Sequence, residues 1–264
     1  MQSVLQSIIL GIVQGLTEFL PVSSTAHLRI IPALANWKDP GAAFSAVIQL
    51  GTMLAILIYF WNDLTKIYLQ TKSKIGLWII FGTIPICVFG FVFKSEIEVG
   101  FVRNLKLISL CLIFFGLLMF FTDLIAHQKK QIKDITFIDV MLIGLAQSLA
   151  LFPGVSRSAI TIMAGLLLGF KRYDAARFSF LLSIPAILAS GILELNGLLF
   201  SLNGIQDISW SNLIIGTIAS CISGYFAIDF LLKYLQTHKT YIFVFYRILL
   251  GIMVLYLNYK GMIQ

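Results

Sequence analysis

Gln14 and Glu18 stand four residues apart in an otherwise apolar run, and on a helix they would share one face, one turn apart. Such a pair can hold a divalent cation or aim a carboxylate at a hydroxyl. Beyond the break at Pro21 come three consecutive hydroxyls, Ser23, Ser24 and Thr25, and then His27. Ser23 or Ser24 is a natural N-cap, so the following helix offers free backbone N–H groups and the positive end of its dipole, which is an anion site. His27 lies three residues after Ser24 on the same face, within reach of its hydroxyl or of a bound phosphate. An ionisable residue at membrane depth is costly unless a partner or ligand compensates it, so residues 11–28 read as half of a site for a phosphorylated lipid.

A second cluster, PGVSRSAIT, runs over residues 153–161. Ser156 is placed to cap the next helix, Gly154 allows a close backbone approach, and Arg157 sits in the first turn with Ser158 beside it and Thr161 four residues on. A cation in a helix's first turn opposes the macrodipole, which makes sense when an anion binds there, and a forked guanidinium suits phosphate oxygens. The competing reading is a plain buried ion pair between Glu18 and Arg157 or Arg29; substrate displacing part of that pairing would reconcile the two. Asp123, Glu194, Asp229 and Arg247 are expected near membrane interfaces in solvated or paired roles, and Gln49 near the middle of a span is a candidate cavity residue.

The elements that must carry these residues follow from composition. The chain has 264 residues, of which 59% are hydrophobic and 12% charged, with a mean hydropathy of +0.94. No water-soluble domain of this size has such a surface, so the protein is polytopic in a membrane. Its apolar runs are long and broken by Gly rather than alternating, which suits helices and excludes a barrel; the fold is all-α. The first residues, MQSVLQSIIL, lack a basic stretch, so no removable leader is expected. Cys87, Cys111 and Cys221 all lie in apolar runs and imply neither disulfides nor a metal site. The net charge of +7 sits in short loops and is explained by topology and anionic headgroups, with no nucleic-acid partner.

The second half of the chain echoes the first. At an offset of 133 the pairs Gly11/Gly144, Gln14/Gln147, Phe19/Phe152, Val22/Val155, Ser23/Ser156 and Ala26/Ala159 are identical. At 134 the register continues through Phe44/Phe178, Ser45/Ser179, Gly82/Gly216, Thr83/Thr217 and Gly90/Gly224. The expectation is one membrane domain made of two repeats, about 1–130 and about 131–264. Each repeat has three full spans, at 41–61, 75–93 and 105–125 and at 174–195, 210–232 and 242–260. Ahead of them, residues 4–20 and 24–34, and 137–152 and 156–170, are too short and too interrupted to be ordinary spans, so each pair is read as a re-entrant helical hairpin.

Three crossings per half require inverted topology. Lys66, Lys72, Lys74, Lys129, Lys130, Lys133, Lys171, Arg172, Lys233 and Lys239 then share one side and Lys38, Lys94, Arg103, Lys106 and Lys260 the other, which makes the richer side cytoplasmic and opens the first hairpin to the outer face. Were each hairpin an ordinary span, the repeats would instead run parallel.

GLTEFLPVSSTAHL together with FPGVSRSAIT resembles the undecaprenyl-diphosphate phosphatase family of the bacitracin-resistance type, and the likeness covers the whole chain in length, hairpin placement and repeat. It implies a bacterial plasma-membrane hydrolase that removes the terminal phosphate of undecaprenyl diphosphate, regenerating the carrier for peptidoglycan synthesis and protecting against bacitracin. The family's first motif, Glu or Gln followed by three residues and Glu, is carried by Gln14 and Glu18; its second, PGxSRSxxT, by Pro153, Gly154, Ser156, Arg157, Ser158 and Thr161. Many members have Glu at the place of Gln14, so a two-carboxylate metal site is not expected; the divalent cation that the family is thought to use, Mg²⁺ or Ca²⁺, would be held by Glu18 and substrate oxygens.

On this resemblance the catalytic set is Glu18, Ser24, His27 and Arg157, with Gln14, Ser23, Thr25, Gly154, Ser156, Ser158 and Thr161 around the substrate. Ser24, His27 and a water molecule all stand as candidates for the attacking group, with Glu18 or His27 as base. A transporter or lipid flippase would share the repeat architecture, and an anion channel is weaker because a carboxylate at the tip repels the permeant ion.

Overall fold

The computed structural model describes residues 3–69, 74–93, 104–200 and 209–263, and no strand is present among them. Lys72, Lys94 and Arg103 of the charge reading, and the side chain of Glu194, lie outside the described residues. The helices are α1 (Val4–Phe19), α2 (Ser24–Leu34), α3 (Gly41–Tyr59), α4 (Trp61–Leu69), α5 (Ile75–Val92), α6 (Leu105–Ile125), α7 (Phe137–Ser148), α8 (Arg157–Leu167), α9 (Arg172–Phe200), α10 (Trp210–Thr237) and α11 (Tyr241–Tyr259).

Among the described residues five helices are long and apolar enough to cross a membrane: α5, α6, the Arg172–Leu193 part of α9, α10 and α11. They coincide with five of the six expected spans, and α3, 19 residues long, covers the sixth over an apolar stretch of Ala43–Tyr59 that is just under that length. Large side chains such as Ile80, Phe91, Phe114 and Leu249 point outward, an apolar exterior that suits a lipid surrounding. The protein is an all-α, multi-pass membrane protein.

Local sequence explains where the site-bearing helices start. Ser3 and Gln6 form a reciprocal capping box at α1, and Thr136 and Asp139 do the same at α7, satisfying N–H groups that a helix leaves orphaned. Both chains of helix then stop at a break containing Pro21 or Pro153-Gly154 and restart as 11-residue helices, α2 and α8. Each such helix is about 17 Å long, half of a bilayer core. The two restarts share an uncommon backbone: Ser23 and Ser156 have φ values of 75° and 73°, a region that costs a non-glycine residue about 1–3 kcal/mol and persists only where surroundings dictate it.

Packing crosses between the halves. Gly11 of α1 lies against the Gly216 carbonyl of α10, and Gly144 of α7 lies against the Gly82 carbonyl of α5. These two contacts are made by corresponding residues, since Gly11 pairs with Gly144 and Gly82 with Gly216 in the repeat register. Neither position has room for a Cβ, because the nearest atom is a backbone oxygen that cannot rotate away. The largest apolar cluster joins Phe19, Val22, Ala55, Val155, Met163 and Phe180, so residues of both halves form one core around the two breaks.

Gly11→Val and Gly144→Val are each expected to lower stability by about 2–3 kcal/mol through overpacking, read as a drop in thermal midpoint in detergent. Gly90→Ala, whose added methyl has its nearest neighbour 3.9 Å away, is expected to leave the midpoint unchanged or raise it.

Candidate active site

Glu18 lies in the last turn of α1, with 4% of its surface exposed. Four donors converge on its two oxygens. Oε2 accepts from the Gln14 amide at 2.8 Å and from the Ser24 hydroxyl at 2.7 Å; Oε1 accepts from the Gln49 amide at 2.8 Å and from the Arg157 guanidinium at 2.5 Å. The i, i+4 spacing of Gln14 and Glu18 thus acts within one helix face, and the Ser24 contact bridges the Pro21 break. The Arg157 contact joins the first break to the second, 139 residues away.

The two breaks touch elsewhere as well. Ser158 Oγ donates to the Leu20 carbonyl at 3.2 Å. Arg157 spends its other terminal nitrogen on the Ser183 carbonyl of α9 at 3.0 Å. Ser24 and Arg157, 133 apart, are each the first residue of an 11-residue helix, a hydroxyl in one and a guanidinium in the other. The first N–H groups of α2, at Ser24 and Thr25, have no intrahelical acceptor.

Ser24 is half-buried and Thr25 exposed, whereas Ser23 and His27 are buried. The Ser24 hydroxyl is aimed by a carboxylate on a residue that is only half-buried. Ser23 occupies the N-cap position of α2 but makes no side-chain cap bond; its Oγ shares a hydrogen bond with Thr25 Oγ1 at 3.1 Å instead. Ser156 does cap, accepting from Ala159 N–H at 3.3 Å, and shares a matching bond with Ser158 at 3.1 Å.

His27 is placed differently from the expectation that it reaches Ser24. Its Nδ1 lies 2.7 Å from the Ser23 carbonyl and its Nε2 lies 2.6 Å from the Tyr246 hydroxyl, with the two rings stacked 5.6 Å apart. A carbonyl only accepts, so the proton is on Nδ1, and Nε2 of the neutral ring accepts from Tyr246. Both nitrogens are occupied away from Ser24.

Thr161 likewise turns inward, donating to the Arg157 carbonyl at 2.8 Å and meeting Ser179 Oγ at 2.6 Å. Gly154 has φ 86° and a Cβ there would stand 2.6 Å from the Ile108 carbonyl, so the close approach expected of it is made to α6.

Several members of the neighbourhood escape sequence reading. Gln49, expected only as a candidate cavity residue, is a direct partner of Glu18. Tyr246 gives no local signal, because its partner is 219 residues away. Arg247, expected at an interface in a solvated or paired role, is fully buried at 0% exposure and bonds backbone carbonyls of both breaks. Gln147, the repeat counterpart of Gln14, is also fully buried, with neither amide atom hydrogen-bonded; Leu151 stands where an acid would complete the pair. The other polar groups are structural. Asp123 holds Arg172 at 2.6 Å and the Thr240 N–H at 2.7 Å, Arg29 pairs with Asp39 and Arg177 with Asp63.

As a cation site the arrangement is poor in ligands. Among the described residues no group of three or more His, Cys, Asp or Glu side chains comes together. The single carboxylate present already takes two amide N–H groups, a hydroxyl and a guanidinium. These residues do not form a cage for a resident metal ion.

Fold and site together define a class of multi-pass membrane protein in which an acid, an aimed hydroxyl and a guanidinium from distant breaks meet inside the helix bundle. The chain belongs to the bacitracin resistance protein BacA family, whose model matches residues 7–253. A protein from Chlorobium limicola named undecaprenyl-diphosphatase is 48% identical over 98% of each chain. One of the same name from Chloroherpeton thalassium is 45% identical over 99% of each. Another from Trichormus variabilis is 43% identical over 99% of this chain and 86% of its own length.

Removing one partner of a buried ion pair strands the other charge. Glu18→Gln and Arg157→Met are each expected to cost about 3–5 kcal/mol. The double variant should lose less than the sum by at least about 1 kcal/mol, the signature of direct coupling, as read by unfolding in detergent.

Proposed function

We propose that this protein hydrolyses undecaprenyl diphosphate to undecaprenyl phosphate and orthophosphate, recycling the lipid carrier for peptidoglycan synthesis and conferring bacitracin resistance. Membership of the BacA family and near-full-length identity to proteins named undecaprenyl-diphosphatase support the substrate. The observation that carries the chemistry is the Ser24 hydroxyl, half-exposed and donating to a carboxylate that Arg157 also holds.

In this reading the lipid tail lies between helices and the diphosphate enters between the two breaks, where Arg157 and the N–H groups opening α2 meet its oxygens. Ser24 Oγ attacks the terminal phosphorus while its proton passes to Glu18 Oε2. The bond from that phosphorus to the bridging oxygen breaks, and undecaprenyl phosphate leaves with the electron pair. Glu18 hands that proton to the departing phosphate; water then loses a proton to Glu18 and attacks the phosphoserine, the bond from phosphorus to Ser24 Oγ breaks, and Glu18 returns the proton to Ser24 as orthophosphate leaves. Gln14 and Gln49 keep the carboxylate oriented. His27, held at both nitrogens, fixes the Ser23 carbonyl and with it the left-handed backbone that aims Ser24. Ser23, Thr25, Gly154, Ser156, Ser158 and Thr161 shape the two breaks around the headgroup. Charge neutralisation rests mainly on Arg157, and phosphoryl transfer relies on such positioning and electrostatics. A divalent cation, Mg²⁺ or Ca²⁺, is brought by the diphosphate rather than held by the protein alone.

The breaks are the tips of two re-entrant hairpins, α1–α2 and α7–α8, in a single domain of two inverted repeats. Supporting this are the equal lengths of α2 and α8, the matched φ values at Ser23 and Ser156, and the corresponding contacts of Gly11 with Gly216 and Gly144 with Gly82. With the Lys-rich side cytoplasmic, the site opens to the outer face of the plasma membrane.

Purified protein in detergent, with no ion or lipid gradient, should release orthophosphate from a polyprenyl diphosphate, and Ser24→Ala and Glu18→Gln should each lower turnover by about 10²–10⁴-fold. Absence of release, or near-normal turnover of Ser24→Ala, would contradict the assignment. Mg²⁺ or Ca²⁺ added without substrate should leave the thermal midpoint unchanged, whereas a rise would reveal a resident cation site.

A further inference from the structure

Arg247 sits near the middle of α11 (Tyr241–Tyr259), fully buried. Nη1 donates to the Pro21 carbonyl at 3.2 Å, and Nη2 donates to the Gly154 and Val155 carbonyls at 2.9 and 3.0 Å. Its Nε has no hydrogen-bond partner. Among the described residues no carboxylate pairs with it, so a permanent cation is buried on carbonyls alone, an expensive arrangement that needs a reason.

The reason lies in which carbonyls they are. Pro21 precedes the left-handed Ser23 in the first break, and Gly154 and Val155 precede the left-handed Ser156 in the second. One planar fork therefore spans the two strained turns that present Ser24 and Arg157. The adjacent Tyr246 holds His27 from the same helix, so two consecutive residues of α11 reach both sides of the site. The repeat offers no duplicate of this device, because the counterpart of Arg247 at an offset of 134 is Ile113.

We infer that Arg247 is a positioning residue for phosphoryl transfer: by tying the Pro21 carbonyl to those of Gly154 and Val155 it sets the separation between the Ser24–Glu18 side and the Arg157 side. It touches neither substrate nor the reacting atoms. This inference rests on the diphosphatase reading above. Arg247→Lys keeps the charge but not the fork; Arg247→Gln keeps two N–H donors but not the charge or the reach. Neither can bridge both breaks.

The test is orthophosphate release from farnesyl diphosphate by the full chain in detergent, with kcat and KM for the wild type, both variants, Arg157→Lys, and Arg247→Lys combined with Arg157→Lys. Both Arg247 variants should lower kcat by about 30-fold or more with KM moved by less than about threefold, the pattern of an interaction expressed in the transition state. Added to Arg157→Lys, Arg247→Lys should cost less than about threefold more, because the alignment it serves is already lost. Several results would overturn the inference: full activity of Arg247→Lys with a raised KM in Arg247→Gln, which is a role for charge alone; fully multiplicative losses in the double variant; or loss of folding in both single variants, which makes the residue purely structural. A wild type that releases no orthophosphate fails the diphosphatase reading itself, and this inference with it.

Discussion

A carboxylate inside a membrane protein is tolerable only if its charge is answered, and Glu18 is answered four times. Two of those donors are the Gln14 and Gln49 amides. The third, Ser24, is the group on which the carboxylate can act. The fourth, Arg157, arrives from the other half of the chain and turns two separate breaks into one site. Without the Glu18–Arg157 contact the breaks would be two polar defects in an apolar bundle, each needing its own compensation.

The surrounding helices can be understood as what makes that contact affordable. Backbone distortion at Ser23 and Ser156 persists because α1 and α7 are each locked against a helix of the opposite half through glycine contacts with no slack. The apolar core around Phe19, Val155 and Phe180 excludes lipid and water from the flanks, which strengthens every electrostatic interaction inside. Arg247 and Tyr246 then brace the two breaks from behind. The halves share backbone geometry yet divide the chemistry: where one presents a hydroxyl and an acid, the other presents Arg157 and Leu151.

Much of this is written locally in the chain. Helix content, the span positions and the two motif clusters follow from hydropathy and from Pro, Gly and Ser placement, because those signals act over a few residues. The Glu18–Arg157 pairing, weighed from sequence as a rival to function, is instead the frame on which the proposed function stands. What sequence conceals is direction and distance. His27 and Ser24 share a helical face, yet the ring turns to Tyr246, a partner no local pattern announces. Thr161 bonds its own preceding turn, a habit of threonine in helices, a direction that its place in the motif does not reveal. Arg247 is hidden most completely, since its partners are backbone carbonyls, which have no residue type to read.

In the proposed reaction one diphosphate headgroup is held between the two breaks. A structure determined with a non-hydrolysable methylene diphosphonate carrying a polyprenyl tail tests this most directly. A phosphonate oxygen is expected within hydrogen-bonding distance of the Arg157 guanidinium, with the terminal phosphorus facing Ser24 Oγ. A diphosphonate bound away from both residues, with the Glu18–Arg157 pair undisturbed, would contradict it.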